Sequence, residues 1–220
     1  HLRLGTKMYG VVKTDAYGHG AVPVARTIDR FVCGYAVATV DEGLKLRRHG
    51  IEKEILCLGP VSAGRYQECL ENDISLPMFE YRRAKELSDA AVAEGKTAKI
   101  HIAVDTGMSR IGLFPDEGSV ETVKEIAELP ALRIAGMFTH FARADEADKT
   151  KAGEQYRRFH AFCDAVKAAG VEVPVCHCSN SAGIAEIREA NMDMVRAGIT
   201  LYGLWPSEEV DQNSLDLKPV

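Results

Sequence analysis

Eight short apolar runs, rich in β-branched and aromatic residues, recur along the chain, and most are separated by stretches that read as helices. The runs are Lys7 to Thr14, Gly34 to Val40, Glu54 to Gly59, Ile74 to Phe79, Lys99 to Val104, Arg133 to His140, Val173 to Ser179 and Met194 to Gly203. Helix patterns occupy Ala21 to Phe31, Asp41 to His49, Glu80 to Glu94, Ser119 to Leu129 and Lys151 to Ala169. Asp41 reads as an acidic N-cap, and Gly50 and Gly170 read as helix stops. Strands alternating with helices predict parallel βαβ units. Near-continuous apolar strands predict a sheet covered on both faces. Eight such units close into an α/β fold of the (β/α)8 TIM-like barrel type, and 220 residues suit one such barrel. The alternative, an open doubly wound sheet, usually carries GxGxxG after its first strand. Here that turn reads Tyr17-Gly18-His19-Gly20 and lacks the third glycine.

Composition narrows the function. A net charge of -5 argues against a general nucleic-acid binder. No apolar run approaches the roughly 18 residues that a membrane span requires. The opening residues HLRLGTK lack the apolar region of a signal peptide. Of six cysteines, Cys33, Cys57, Cys176 and Cys178 sit in or beside apolar runs, as small hydrophobes do. A chain of this size needs no disulfide staples, so a reducing, cytoplasmic setting is expected. Cys176-His177-Cys178 suggests a metal site, but on a strand the cysteines face one way and the histidine the other. With no CxxC or HxxH elsewhere, no metal is expected.

Chemistry in such a barrel gathers at the carboxyl ends of the strands. The first run delivers Lys13 into a polar, Gly-rich loop, and the fifth is followed by Asp105 to Arg110. The sixth ends at Thr139-His140, the seventh at Ser179-Asn180-Ser181, and the eighth carries Arg196 and then Gly198-Ile199. A barrel phosphate usually lies beside the loops after strands seven and eight. Ser181 offers a hydroxyl there, and Gly198-Ile199 offers backbone N–H groups. A lysine across the mouth can form a Schiff base with a carbonyl. A phosphate-bearing aldehyde that binds lysine is pyridoxal 5'-phosphate, PLP. Arginine in place of a carboxylate beside the ring nitrogen would leave that nitrogen unprotonated, which favours simple return of a proton to Cα.

Five motifs then resemble the alanine racemase family of fold-type III PLP enzymes: VVKTDAYGHG (11–20), VDTGMSRIG (104–112), FTHFARADE (138–146), SNSAG (179–183) and VRAGITLYGLWPS (195–207). They stand in the family's order and span nearly the whole chain. The resemblance implies that Lys13 carries the cofactor and is one of two catalytic bases, with Tyr17 touching the phosphate. It implies that Arg110 binds substrate carboxylate and the cofactor's phenolic oxygen, and that His140 lies beside the ring. Arg196 would face the ring nitrogen with His177 supporting it. Ser181, Gly198 and Ile199 would hold the phosphate, and Asn180 would lie nearby. The activity implied is interconversion of L- and D-alanine, which supplies D-alanine for peptidoglycan, in a homodimer acting on a small amino acid, with no nucleic-acid or membrane partner.

The sequence departs from the family pattern in two ways. Many members place a carbamylated lysine seven residues before the arginine, where this chain has Ala103. Family members also append a β-rich domain that supplies a tyrosine base for the other substrate face. Residues 1–206 are therefore expected to form the PLP barrel, and 207–220 a linker towards such a domain, absent here. Serine racemisation and a non-catalytic PLP carrier remain alternatives. A decarboxylase is disfavoured, because those enzymes typically place a glutamate where Arg196 stands. His19 and His101 read as structural, Tyr202 as strand packing, and Asp145 and Glu146 as loop solvation.

Overall fold

The computed structural model describes residues 2–219. Its eight strands are β1 (Lys7–Val11), β2 (Gly34–Val37), β3 (Glu54–Cys57), β4 (Ile74–Met78), β5 (Ala98–Ala103), β6 (Leu132–Phe138), β7 (Cys176–His177) and β8 (Met194–Ala197). All pairings are parallel, in the order β7-β6-β5-β4-β3-β2-β1-β8. The ends of that row meet: Asp193 N–H donates to the Cys176 carbonyl (3.3 Å) and Arg196 N–H to the Ser179 carbonyl (3.0 Å). The sheet is thus a closed (β/α)8 barrel, as its alternating pattern predicts.

The strands are shorter than the apolar runs that announce them. Each run continues past its last ladder pair into the loops of the barrel mouth, and those loops need apolar anchors too. The last run divides: β8 ends at Ala197, and Ile199–Tyr202 is a 3-10 turn. Five long helices fall close to their expected positions, at Ala21–Ile28, Val40–Arg48, Tyr81–Ala93, Glu117–Ala127 and Thr150–Ala168. Two short helices, Tyr66–Glu71 and Ser181–Glu186, add to these; they have too few residues to display a period in the sequence. Thr39, not Asp41, caps the helix Val40–Arg48. Its hydroxyl accepts the Glu42 N–H while the Glu42 carboxylate accepts from the Thr39 N–H, a capping box.

Alternation along the strands separates two cores. One phase of each strand points outward and packs beneath the helices, in a cluster that includes Tyr35, Ile55, Leu87, Ile100, Ile102 and Phe159. The other phase points into the barrel, where Tyr9, Val11, Ala36, Leu56, Val175 and Met194 form a much smaller apolar cluster. The inward phase also carries polar side chains: Ser75, His101, His177 and Arg196 are all buried. Continued past the strand ends, the inward phase brings Lys13, His140 and Gly198 to the mouth. No helix among the described residues is long and apolar enough to cross a membrane.

Candidate active site

Directly after β1 the chain makes a turn of the wrong hand. Thr14, Asp15, Ala16 and Tyr17 all have φ between 50° and 56°, and none is glycine. Left-handed backbone costs L-residues about 1–2 kcal/mol each, so neighbouring groups must impose it. Glu42 accepts the Thr14 N–H (2.6 Å) and the Ala38 N–H (2.7 Å) through its two carboxylate oxygens. Asp15 accepts the Ala21 N–H (2.9 Å) and Lys45 Nζ (2.7 Å), and these contacts, the backbone bond first, hold its carboxyl below the usual range. The left-handed turn reverses the chain within four residues. It leaves Lys13 half-buried and Tyr17 at the same cavity.

That cavity, about 350 Å³, lies at the carboxyl end of the strands and is bordered by Lys13, Tyr17, His140, Asn180, Ser181, Arg196, Gly198 and Ile199. A neighbouring cavity of about 220 Å³ shares Lys13, His140 and Arg196 and adds Arg110. Nine of the ten residues singled out from the sequence therefore border two adjoining cavities. The tenth, His177, lies beneath them against Arg196. Asn180 is structural as well, since its side chain accepts the Gly183 N–H (3.0 Å) and caps the helix Ser181–Glu186. Leu58 adds an apolar wall that no sequence motif marks, and Met108, inside the second motif but given no role there, adds another. Thr200 lies within the last motif but carries no role in the sequence reading. It donates to Ser181 Oγ through its hydroxyl (3.1 Å) and its N–H (3.4 Å).

The site is strongly cationic. Burial first, and then the charges of Arg196, Arg110 and Lys13, push the His140 imidazole down to about 3, so it is neutral near pH 7. Arg196 is 3% exposed, and burial lowers its guanidinium to about 10, still protonated at neutral pH. Its Nη1 donates to His177 Nδ1 (2.8 Å) and the His177 carbonyl (3.2 Å). Its Nη2 donates to the carbonyls of Thr139 (2.8 Å) and Cys178 (3.1 Å) and to His140 Nδ1 (3.2 Å). Nε has no acceptor among the described residues, although the side chain borders both cavities. Arg110 is exposed at the rim and makes no hydrogen bond or ion pair among the described residues. Ala103, buried on the inward phase, offers it no polar group.

An aromatic aldehyde phosphate suits these donors. A Cβ at Gly198 would stand 3.1 Å from Tyr17 Oη and 3.6 Å from Ser181 Oγ, filling a recess that polar groups surround. The Gly198 N–H donates to Ser181 Oγ (3.1 Å), so a hydroxyl and a backbone donor already converge there. An unpartnered guanidinium N–H and a lysine amine complete the set.

Fold and site together define a (β/α)8 barrel protein with a lysine- and arginine-lined pocket at the carboxyl end of its strands. Residues 1–206 match the family described as alanine racemase, N-terminal domain, and the chain belongs to that family. It is 46% identical over 215 residues to an alanine racemase of Clostridium novyi, covering 97% of this chain and 56% of that protein. Among solved structures, alanine racemase of Clostridium difficile 630 superposes with a TM-score of 0.97 at 39% identity, covering 99% of this chain and 57% of that one. A Bacillus anthracis alanine racemase with bound L-Ala-P gives a TM-score of 0.89 at 36% identity, covering 99% of this chain and 57% of that one. The chain thus spans rather more than half the length of the relatives it matches.

Proposed function

We propose that this chain is the cofactor-binding barrel of a PLP-dependent alanine racemase, in which Lys13 both holds the cofactor and moves a proton at the substrate Cα. The observation that carries this reading is the convergence of Lys13, Arg196 and the Ser181–Gly198 recess on one cavity, in a chain of this family. Bound there, PLP would supply an electron-withdrawing ring conjugated to the amino-acid nitrogen, which makes the Cα proton removable.

The chain's own residues would do the rest. Ser181 Oγ, the Gly198 and Ile199 backbone and the Tyr17 hydroxyl would bind the phosphate. The Arg196 side chain is held by five acceptors at the carboxyl end of β7 and on the segments after β6 and β7, which leaves Nε–H to be offered to the ring nitrogen. A guanidinium donates without surrendering its proton. That limits the negative charge drawn into the ring and favours proton return at Cα. Arg110, unengaged at the rim, would take the substrate carboxylate. The Lys13 amine would act as base and acid on one face, and such a group typically contributes about 10²–10⁴-fold. We place the opposite-face base in the part of the relatives that lies beyond the matched region, so two-base turnover belongs to the longer polypeptide. L-Ala-P in the Bacillus anthracis structure supports alanine over serine as the substrate class.

Reconstitution with PLP tests the reading. The chain should develop a visible absorption band that survives gel filtration, and Lys13→Ala should lose it while keeping its circular dichroism. An unchanged band in Lys13→Ala would remove the assigned role. Racemisation by the longer polypeptide, measured with both alanine enantiomers, distinguishes an enzyme from a carrier.

A further inference from the structure

The buried guanidinium of Arg196 has no carboxylate within ion-pairing distance among the described residues; its acceptors are carbonyls and two imidazoles. A buried cation without a counter-charge is costly, so the compensating charge must reach it by another route. The inward phase of the barrel supplies one. His177 Nδ1 accepts from Arg196 (2.8 Å), and His177 Nε2 lies 3.0 Å from His101 Nδ1. His101 Nε2 in turn lies 3.5 Å from Glu54 Oε1, the longest link. Glu54 opens β3 at the end of the barrel opposite the mouth and is 29% exposed, whereas His101 and His177 are 1% and 0% exposed.

We infer that Glu54 is the counter-ion of Arg196, linked to it by His177 and His101 in a single fixed order of tautomers, and that Glu54 and His101 are positioning residues for the site. The order follows from the two ends. Arginine can only donate, so His177 Nδ1 is bare and its proton sits on Nε2. That proton can only be given to His101 Nδ1, so the His101 proton also sits on Nε2, facing Glu54. A carboxylate can only accept, so it closes the chain. A second proton on His101 would set N–H against N–H at the 3.0 Å link. Every member thus points its proton away from the mouth, and reversing either imidazole sets two donors against each other.

The surroundings are shaped for this arrangement. β6 carries one extra residue opposite the Ile100–His101 step, a bulge that sets Gly136 across from His101. A Cβ on Gly136 would lie 2.7 Å from His101 Nδ1, the atom that accepts from His177. The imidazoles of His101 and His177 meet edge to face, with ring centroids 5.2 Å apart, and His177 stacks on Phe138 at 5.4 Å. Glu54 also accepts the Ser75 hydroxyl (2.8 Å), and the Tyr9 hydroxyl is directed at it. Burial opposes the charge on Glu54, but the hydrogen bonds from His101, Tyr9 and Ser75 oppose burial and keep its carboxyl below the usual carboxylate range.

The tautomer order rests on this chain alone, and its bearing on catalysis rests on the function proposed above. The experiment is 15N NMR of histidine-labelled, cofactor-free chain, which distinguishes protonated from bare ring nitrogens. His177 and His101 should each show a protonated Nε2 and a bare Nδ1. A Nδ1-protonated His177 or a doubly protonated His101 would overturn the inference without any variant being made. In Glu54→Gln, where the amide can donate as well as accept, the His101 nitrogens should average between tautomers, whereas Arg196 still keeps His177 Nδ1 bare. Glu54→Asp should restore the wild-type pattern. An unchanged pattern in Glu54→Gln would show that Glu54 does not set the order. Failure to bind PLP would leave this readout untouched and would count against the proposed function instead.

Discussion

The two cores of this barrel are built from opposite faces of the same strands, yet they differ in kind. The outer one is continuous and apolar, and it includes Leu87, Ile100, Val123, Phe159 and Val166 beneath the helices. The inner one gives much of its space to the polar side chains of Tyr9, Ser75, His101, His177 and Arg196, and its apolar cluster is small. The outer face can therefore carry the stability while the inner face carries oriented charge. A residue's phase along its strand decides which of the two it serves.

Truncations should separate the two. The largest effect is expected from Phe159→Ala, which opens a cavity in the outer core and should cost about 3–5 kcal/mol in urea unfolding. The same variant should leave the visible PLP band at full amplitude under native conditions. A loss of the band in a folded Phe159→Ala protein would mean that the two cores are not separable.

Acid should find the inner core first. His140 and His177 have folded values below the ordinary 6.5, chiefly through burial and then the charge of Arg196, whereas the unfolded chain binds their protons normally. The unfolded state therefore takes up more protons, and stability falls as pH drops below about 6.5. For His140 the fall continues towards about 3. Each such group adds about 1.4 kcal/mol per pH unit to the slope. His140→Gln should flatten the curve by one such increment, measured as urea midpoints from about pH 7 to about pH 4. An unaltered slope would contradict its buried, neutral state.

A smaller effect should appear at the join between the cores. Thr39→Ala removes one half of the capping box and should cost about 1 kcal/mol. Because Glu42 also holds the Thr14 N–H, the loss should raise amide exchange in the left-handed turn 14–17 as well as in the helix Val40–Arg48. Exchange confined to the helix would mean that the turn is held by Asp15 alone.

Most of the barrel was legible because parallel strands covered on both faces read as apolar runs, and eight of them leave few alternatives. The mouth was legible because polar residues such as Lys13, His140 and Arg196 interrupt those runs at their carboxyl ends. The left-handed turn was not, since nothing in Thr14-Asp15-Ala16-Tyr17 marks a positive φ; contacts from Glu42 and Lys45 impose it. The chain of imidazoles was also hidden. His101 lies 47 positions from Glu54 and 76 from His177, so only closure of the barrel brings them together. One signal was present: Glu54, Ser75, His101 and His177 are polar residues on strands whose neighbours are apolar. Read individually, a lone histidine such as His101 passes for core packing.

The central claim is that one amine, fixed at the end of β1, holds the cofactor. Borohydride reduction of the PLP-loaded chain, followed by peptide mapping, tests it most directly. The pyridoxyl mass should be found on the peptide containing Lys13 and on no other lysine. A tag elsewhere, or none despite bound cofactor, would contradict it.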